Sequence, residues 1–284
     1  NSAVQFNQPI GNWNVSKVTD MNNMFNSAEV FNQDISGWDV SSVTDMNNMF
    51  NTAGQFNQPI GNWNVSKVTD MSFMFYDAQA FNQPIGDWNV SSVTNMSYMF
   101  LGAYTFNQPI GSWNVYKVTN MEGMYQAALA FNQPIGNWIV SSVTDMKWMF
   151  YNATVFNQDI SDWNVSSSTN MKGMFQSAQA FNQPIGDWDV SNVTDMSGMF
   201  TASAFNQPIG NWNVSEVTEM SAMFSQSAFN QSINGWDVAK VTDFTHMFDT
   251  NNVFYQSIRV WAVGSSANTT NMFYHAYGLQ RYYA

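Results

Sequence analysis

Two histidines, His246 and His275, and no cysteine limit the chemistry open to this 284-residue chain. A Ser-His-Asp triad or a His-rich metal site has almost no material, and without Cys there is no thiolate nucleophile, zinc-thiolate site or disulfide framework. The 20 Asp and Glu are spread along the chain, so no carboxylate pair stands out as an acid/base couple. The densest acidic spot is Asp162, Asp187 and Asp189, where a hard cation would find oxygen ligands. Asn at most equivalent positions dilutes that charge. There is no Walker loop, dinucleotide fingerprint or EF-hand loop. The residues therefore predict a protein that is not an enzyme and has no catalytic residues, no cofactor and no bound metal.

Charge narrows the partners. Eight Lys plus Arg against 20 acidic residues, a net charge of -12, argue against a nucleic-acid partner or an anionic membrane surface. No run approaches the ~20 apolar residues that a membrane-spanning helix needs. The chain starts at Asn1 without an initiator Met, a basic region or an apolar stretch, so any targeting segment is expected to lie outside this sequence.

What positions the side chains is a repeat. The segment Phe6 to Val30, FNQPIGNWNVSKVTDMNNMFNSAEV, recurs from Phe31, Phe56, Phe81, Phe106, Phe131, Phe156 and Phe181 at a step of 25 residues. It recurs again from Phe205, Phe229 and Phe254 after two copies that are one residue shorter, which makes eleven. Sorting residues by repeat column explains an odd composition. All 20 Met lie in the Met21 and Met24 columns, 11 of 12 Trp in the Trp13 column, and 21 of 23 Phe in the Phe6 and Phe25 columns. These columns are expected to be core.

Each unit reads in three parts. Pro9 and Gly11 mark a turn. Ile10 to Val15 alternates, Trp13 and Val15 one way and Asn12 and Asn14 the other, which predicts a short half-buried strand. Thr19 to Ala28 sets Met21, Met24, Phe25 and Ala28 at i, i+3, i+4 and i+7, which predicts a two-turn amphipathic helix with Thr19 as N-cap. Where Pro is replaced by Asp34, Asp159, Ser232 or Ser257, Ser36, Ser161, Asn234 or Arg259 stands two residues on. Those pairs predict alternative turns. The Asn7 and Gln8 columns predict amides stacked from copy to copy.

Strands ~4.8 Å apart and helices ~8-10 Å apart cannot stack flat. The expected fold is therefore α/β: a leucine-rich-repeat-like, right-handed solenoid of eleven coils, with short parallel strands on the concave face and short helices on the convex face. One domain would cover 1–284, with 1–5 as the tail of a preceding coil and 6–253 as ten coils. Residues 254–284, with Arg259, Arg281, Tyr282 and Tyr283, would form a degenerate coil and cap. Because no equivalent cap opens the chain, further coils or a separate cap are expected upstream.

Two surfaces are candidates for binding. On the concave side Asn14, Asp39, Asn64, Asn89, Asn114, Asn164, Asp189, Asn213 and Asp237 form a lattice of amides and carboxylates suited to a polar polymer such as a glycan. On the convex side the Asn23 column, small or polar in most copies, carries Phe73, Tyr98 and Trp148 in the third, fourth and sixth. Tyr76, Leu101 and Tyr151 follow three residues later on the same face. Six large side chains gathered there would form an exposed apolar patch of the kind that marks a contact site.

The unit FNQPIGxWNVSxVTDMxxMFxxA resembles the repeat of BspA-like leucine-rich-repeat surface proteins, including mycoplasma surface lipoproteins. The resemblance covers essentially the whole chain. It implies a surface-displayed or secreted adhesin of bacterial or viral source, outside the cell or on its surface, that contacts a protein or glycan on another cell. It carries over no catalytic residue. A protein that matches an ice or mineral lattice, and a passive spacer, are the alternatives.

Overall fold

A computed structural model describes residues 3–278; Arg281, Tyr282 and Tyr283, expected in a cap, lie outside these residues. Successive copies lie one on the next. The Asp20 column forms a continuous ladder of ten parallel bridges, Asp20 to Asp45 to Asp70 and on to Asn268. Each coil thus contributes one bridging residue to the ladder. The segment from Ile10 to Val15 forms no ladder, because a turn closed by Trp13 N–H to Ile10 C=O (3.0 Å) breaks it; from the second coil on only its last three residues alternate, as in buried Trp38, exposed Asp39 and buried Val40.

The segment from Thr19 to Ala28 is not helical in coil 1 or in its equivalents. Two turns replace the helix. Met24 N–H donates to Met21 C=O (3.2 Å) and Ala28 N–H to Phe25 C=O (3.0 Å). The third residue of each turn is left-handed, Asn23 at φ 58° and Ser27 at φ 59°. This holds for both columns in all eleven coils, and no other described residue has positive φ. Such φ is what a type II turn needs at that position. Two turns in tandem advance by four residues, so they bury the same i, i+3, i+4, i+7 stripe that a helix would.

The remaining donors decide against the helix. The N–H groups of Met21, Asn23, Phe25 and Ser27 donate to the carbonyls of Asp45, Asn47, Met49 and Asn51 in the next coil, at 2.7–3.0 Å. A helix of two turns would leave most of its terminal N–H and C=O groups without partners. Turned along the stack, every second N–H finds a partner. The Thr19 cap is replaced as well: Asp20 Oδ1 accepts Asn22 N–H (2.8 Å), while Thr44 donates its N–H and hydroxyl back to Thr19 C=O (2.8 and 3.1 Å).

Inside lies one contiguous apolar cluster that reaches from Ile10 to Met272. Phenyl rings of the Phe25 column stack on their neighbours, as between Phe25 and Phe50 at 5.4 Å. Indoles do the same, with Trp38 and Trp63 at 6.5 Å. Within the Trp13 column, each indole N–H from Trp38 to Trp261 donates to the Ile carbonyl of the coil before, as Trp63 does to Ile35 (3.3 Å). A buried Trp needs such a partner.

The amide columns also bond from coil to coil. Asn7 Oδ1 accepts Asn32 N–H (3.0 Å) and Gln33 Nε2 (2.9 Å), a pattern repeated up the stack. Three of the four alternative turns are hydrogen-bonded, Asp34 Oδ1 accepting Ser36 N–H (2.9 Å), Asp159 Oδ1 accepting Ser161 N–H (3.0 Å) and Ser257 Oγ accepting Arg259 N–H (3.4 Å). At the ends of the first seven coils the Phe N–H that opens the next coil donates to the Ala carbonyl, as Phe31 to Ala28 (3.0 Å), and after the tenth Phe254 N–H donates to Asn251 Oδ1 (3.0 Å). The two shortened coils lose that turn and carry Ser203 and Ser227 in the Ala column. Their hydroxyls accept Phe205 N–H (3.2 Å) and Phe229 N–H (3.4 Å) instead.

Candidate functional site

The left-handed columns set the geometry of the aromatic patch. Phe73, Tyr98 and Trp148 have φ of 58°, 57° and 58°, where eight other coils carry Asn, Gly, Ala or His. For a large L-residue that conformation costs ~1–2 kcal/mol. The backbone accepts it because the inter-coil bonds fix φ: Phe73 N–H to Ser97 C=O at 2.9 Å, Tyr98 N–H to Glu122 C=O at 2.7 Å, Trp148 N–H to Lys172 C=O at 2.9 Å.

Each ring leans over the coil that follows. Phe73 stacks on Tyr98, ring centroids 4.9 Å apart. Tyr98 lies over Gly123, where an added Cβ would run into its ring. A Cβ on Gly173 would lie 2.5 Å from Trp148 Cδ1. Glycine at 123 and 173 therefore makes room for the rings above. Phe73, Tyr76, Tyr98, Leu101, Trp148 and Tyr151 are all half-buried. The patch lies on turns rather than on helices: the rings partly cover the turns beneath and show water their remaining faces.

A polar network unforeseen from the sequence crosses this patch. Tyr98 Oη donates to Glu122 Oε1 (2.6 Å), which also pairs with Lys147 Nζ (3.1 Å). Lys147 Nζ lies 3.8 Å from the centre of the Trp148 ring, within cation–π reach. Burial and then the Glu122 hydrogen bond push the Tyr98 phenol well up. Asp145 nearby is also raised, mainly by burial. The signal was present in the sequence: the Asn22 column is Asn, Ser or Thr in most coils but Glu122, Lys147 and Lys172 in the fifth to seventh.

The other candidate lattice has local work. Asn14, Asp39, Asn64, Asn89, Asn114, Asn164, Asp189, Asn213 and Asp237 are all exposed. Each accepts the N–H two residues on, from Ser16 (3.2 Å) and Ser41 (3.1 Å) to Ser215 (3.2 Å) and Ala239 (3.1 Å). These are Asx turns, which the Asn-Val-Ser spacing announces. Asn amide N–H₂ groups remain outward. Ser41 and Ser191 hold Asp39 and Asp189 below the usual carboxylate range by hydrogen bonding.

Asp162, Asp187 and Asp189 stay exposed, and no group of three or more His, Asp or Glu among the described residues is placed to hold a metal ion. His246 Nδ1 pairs with Asp249 Oδ2 (2.8 Å), and Thr250 Oγ1 donates to the other oxygen of that carboxylate (2.7 Å). His275 is exposed beside Tyr274. No described helix is long and apolar enough to cross a membrane.

Five overlapping segments, 1–108, 55–159, 83–187, 130–228 and 169–283, match the model of one family, described as a Mycoplasma protein of unknown function, DUF285. The chain belongs to that family and is a repeat protein. It matches none of the curated proteins with which it was compared.

Proposed function

We propose that this DUF285 protein is a non-enzymatic binding module, displayed on a cell surface or secreted, that engages a protein or glycan through its outward columns. The observation that carries the reading is the aromatic trio. Phe73, Tyr98 and Trp148 occupy backbone positions that favour Gly or Asn, and they keep part of each ring in water. A chain that accepts ~1–2 kcal/mol of strain at three sites and gains only half-burial is retaining side chains for something other than its own stability. The Glu122–Lys147 pair beside the rings supplies hydrogen-bonding groups to orient a partner.

The BspA-like resemblance supports surface display and adhesion, and the right-handed, curved solenoid with a concave and a convex face belongs to the same reading. The Asn14 column, whose acceptors are spent on turns, is the secondary surface. A lattice-matching role would rest on the exposed threonine column, whose hydroxyls are already donated to carbonyls, as Thr69 to Thr44 (3.2 Å).

The test is a panel of immobilised glycans and host-surface proteins probed with the intact chain and with Phe73→Ser/Tyr98→Ser/Trp148→Ser. Binding that the triple variant loses, with its thermal transition retained, supports the module. Equal binding by both chains would assign the surface elsewhere, and measurable thermal hysteresis would favour lattice matching.

A further inference from the structure

From coil 2 to coil 9 the exposed large apolar side chains are Tyr104, Tyr116, Leu129, Ile139 and Val155, all in coils 4 to 6. Two of them interrupt the Asn14 face. Ile139, 60% exposed, stands where the other nine of the first ten coils carry Asn or Asp, and Tyr116, 41% exposed, stands in the Ser16 column, which otherwise holds Ser, Ala or Gly. Ile139 removes an Asx turn. Nine N–H groups from Ser16 to Ala239 have an Asn or Asp acceptor two residues back, while Ser141 N–H has no acceptor among the described residues. An aliphatic side chain that lies mostly in water gives the fold little in return.

The polar groups around this pair are donors. Asn114 Oδ1 is taken by Tyr116 N–H (3.4 Å) and Asn164 Oδ1 by the Ser166 N–H (3.1 Å) and hydroxyl (2.7 Å), which leaves both amide N–H₂ groups outward. Lys117 is exposed, its Nζ 5.5 Å from the centre of the Tyr116 ring, and it is absent from the described ion pairs, which involve Lys147, Lys240 and His246. The face continues into coil 4. Ser112, Asn114 and Tyr116 are exposed and Trp113 and Val115 buried, so the three share one side, and Ser112 walls a groove of about 520 Å³ together with Asn62, Pro84, Asp87 and Pro109.

We propose that this face, from the groove to Ile139, binds an oligosaccharide that carries a carboxylate. Tyr116 and Ile139 offer an apolar platform for the C–H side of a sugar ring, Lys117 and the outward amides take the carboxylate, and the exposed Asp87 accepts sugar hydroxyls in the groove. The charges decide between a glycan and an acidic peptide. A run of acidic residues would meet Asp87 as well as Lys117, and like charges repel, whereas sugar hydroxyls donate to a carboxylate. One carboxylate rather than a polyanion also suits a chain of net charge -12. The inference rests on the binding-module reading and assigns the glycan to the Asn14 face rather than to the aromatic trio.

The experiment compares the affinity of the intact chain for oligosaccharides that contain a uronic or sialic acid with its affinity for the same compounds after reduction of the carboxylate to an alcohol. Ile139→Asn, Tyr116→Ser and Lys117→Ser each restore a residue that other coils carry in that column, so the variants should keep their thermal midpoints. The reduced sugars should bind the intact chain about tenfold or more weakly than the acidic ones, and Lys117→Ser should lose the acidic ones by a similar factor. The double variant Tyr116→Ser/Ile139→Asn should weaken them as much, through the platform rather than the charge. Equal affinity for the two sugar series, or acid-dependent binding that survives in Lys117→Ser, would overturn the inference and leave the binding module standing. Binding of an Asp- and Glu-rich peptide in place of any sugar, lost in Lys117→Ser, would overturn it by assigning the face to a protein. Absence of binding to every sugar would overturn it as well, and the module would then stand or fall on the panel of host-surface proteins.

Discussion

Coils 3, 4 and 6 differ from coils 5, 7 and 8 at one outward position, Phe73, Tyr98 and Trp148 against Gly123, Gly173 and Gly198, yet φ stays between 57° and 64° throughout. The conformation is therefore set by the bonds each turn makes to its neighbour rather than by the residue in it. An inward column such as Met24 is constant because a packed interior tolerates little change in volume. An outward column is free to vary as long as the N–H of its residue still reaches the next coil. That freedom is where function can be written without rewriting the fold.

The sharpest way to break this comparison is to exchange the two kinds of position within one coil. Phe100→Ala empties a fully buried site between Phe75 and Tyr125 and should cost ~3–5 kcal/mol in urea unfolding. Tyr98→Gly, two residues away, should change stability by less than ~1 kcal/mol, because relief of the left-handed strain offsets the lost ring contacts. Gly173→Val adds a Cβ at φ 58° against Trp148 and should cost ~2–3 kcal/mol through strain and a displaced ring.

Smaller effects sharpen the role of the turns. Ser203→Ala should cost ~1–2 kcal/mol, since Phe205 N–H in the shortened coil loses its acceptor. The same exchange at the half-buried Ser191, on whose hydroxyl no backbone N–H depends, should cost less by the same assay. Tyr125→Phe should gain up to ~1 kcal/mol, because the Tyr125 hydroxyl is buried without a partner. Part of the alkaline pH dependence follows the Tyr98 phenol, whose ordinary value of 10.0 is raised in the folded chain, as is that of the buried Tyr125. Its contribution is complete below pH 10 and falls as pH climbs towards the folded value. Tyr98→Phe should remove that part of the alkaline destabilisation, measured by thermal melts between pH 8 and pH 11.

The period, the core columns and the amide ladders were legible in the sequence because each rests on side-chain identity at a fixed spacing. The path of the backbone between Thr19 and Ala28 was not. Two tandem turns and a helix bury Met21, Met24, Phe25 and Ala28 alike, and only the residues in the Asn23 and Ser27 columns separate them. Asn23, Asn48, Gly123, Gly173 and Gly198 carried that signal, while Phe73, Tyr98 and Trp148 masked it by filling left-handed positions with aromatic rings. The patch residues were found because they broke a column. Glu122 and Lys147 break one too, and only the fold shows that they meet Tyr98 and Trp148.

Native-state hydrogen exchange at the Asn23 column tests the central claim most directly, because it reads the inter-coil bonds themselves. If neighbouring coils set the backbone, the amides of Tyr98 and Trp148 should be protected as strongly as those of Gly123 and Gly173, within about tenfold. Protection of the glycine amides with rapid exchange at Tyr98 and Trp148 would show that the aromatic coils do not share this path, and would contradict it.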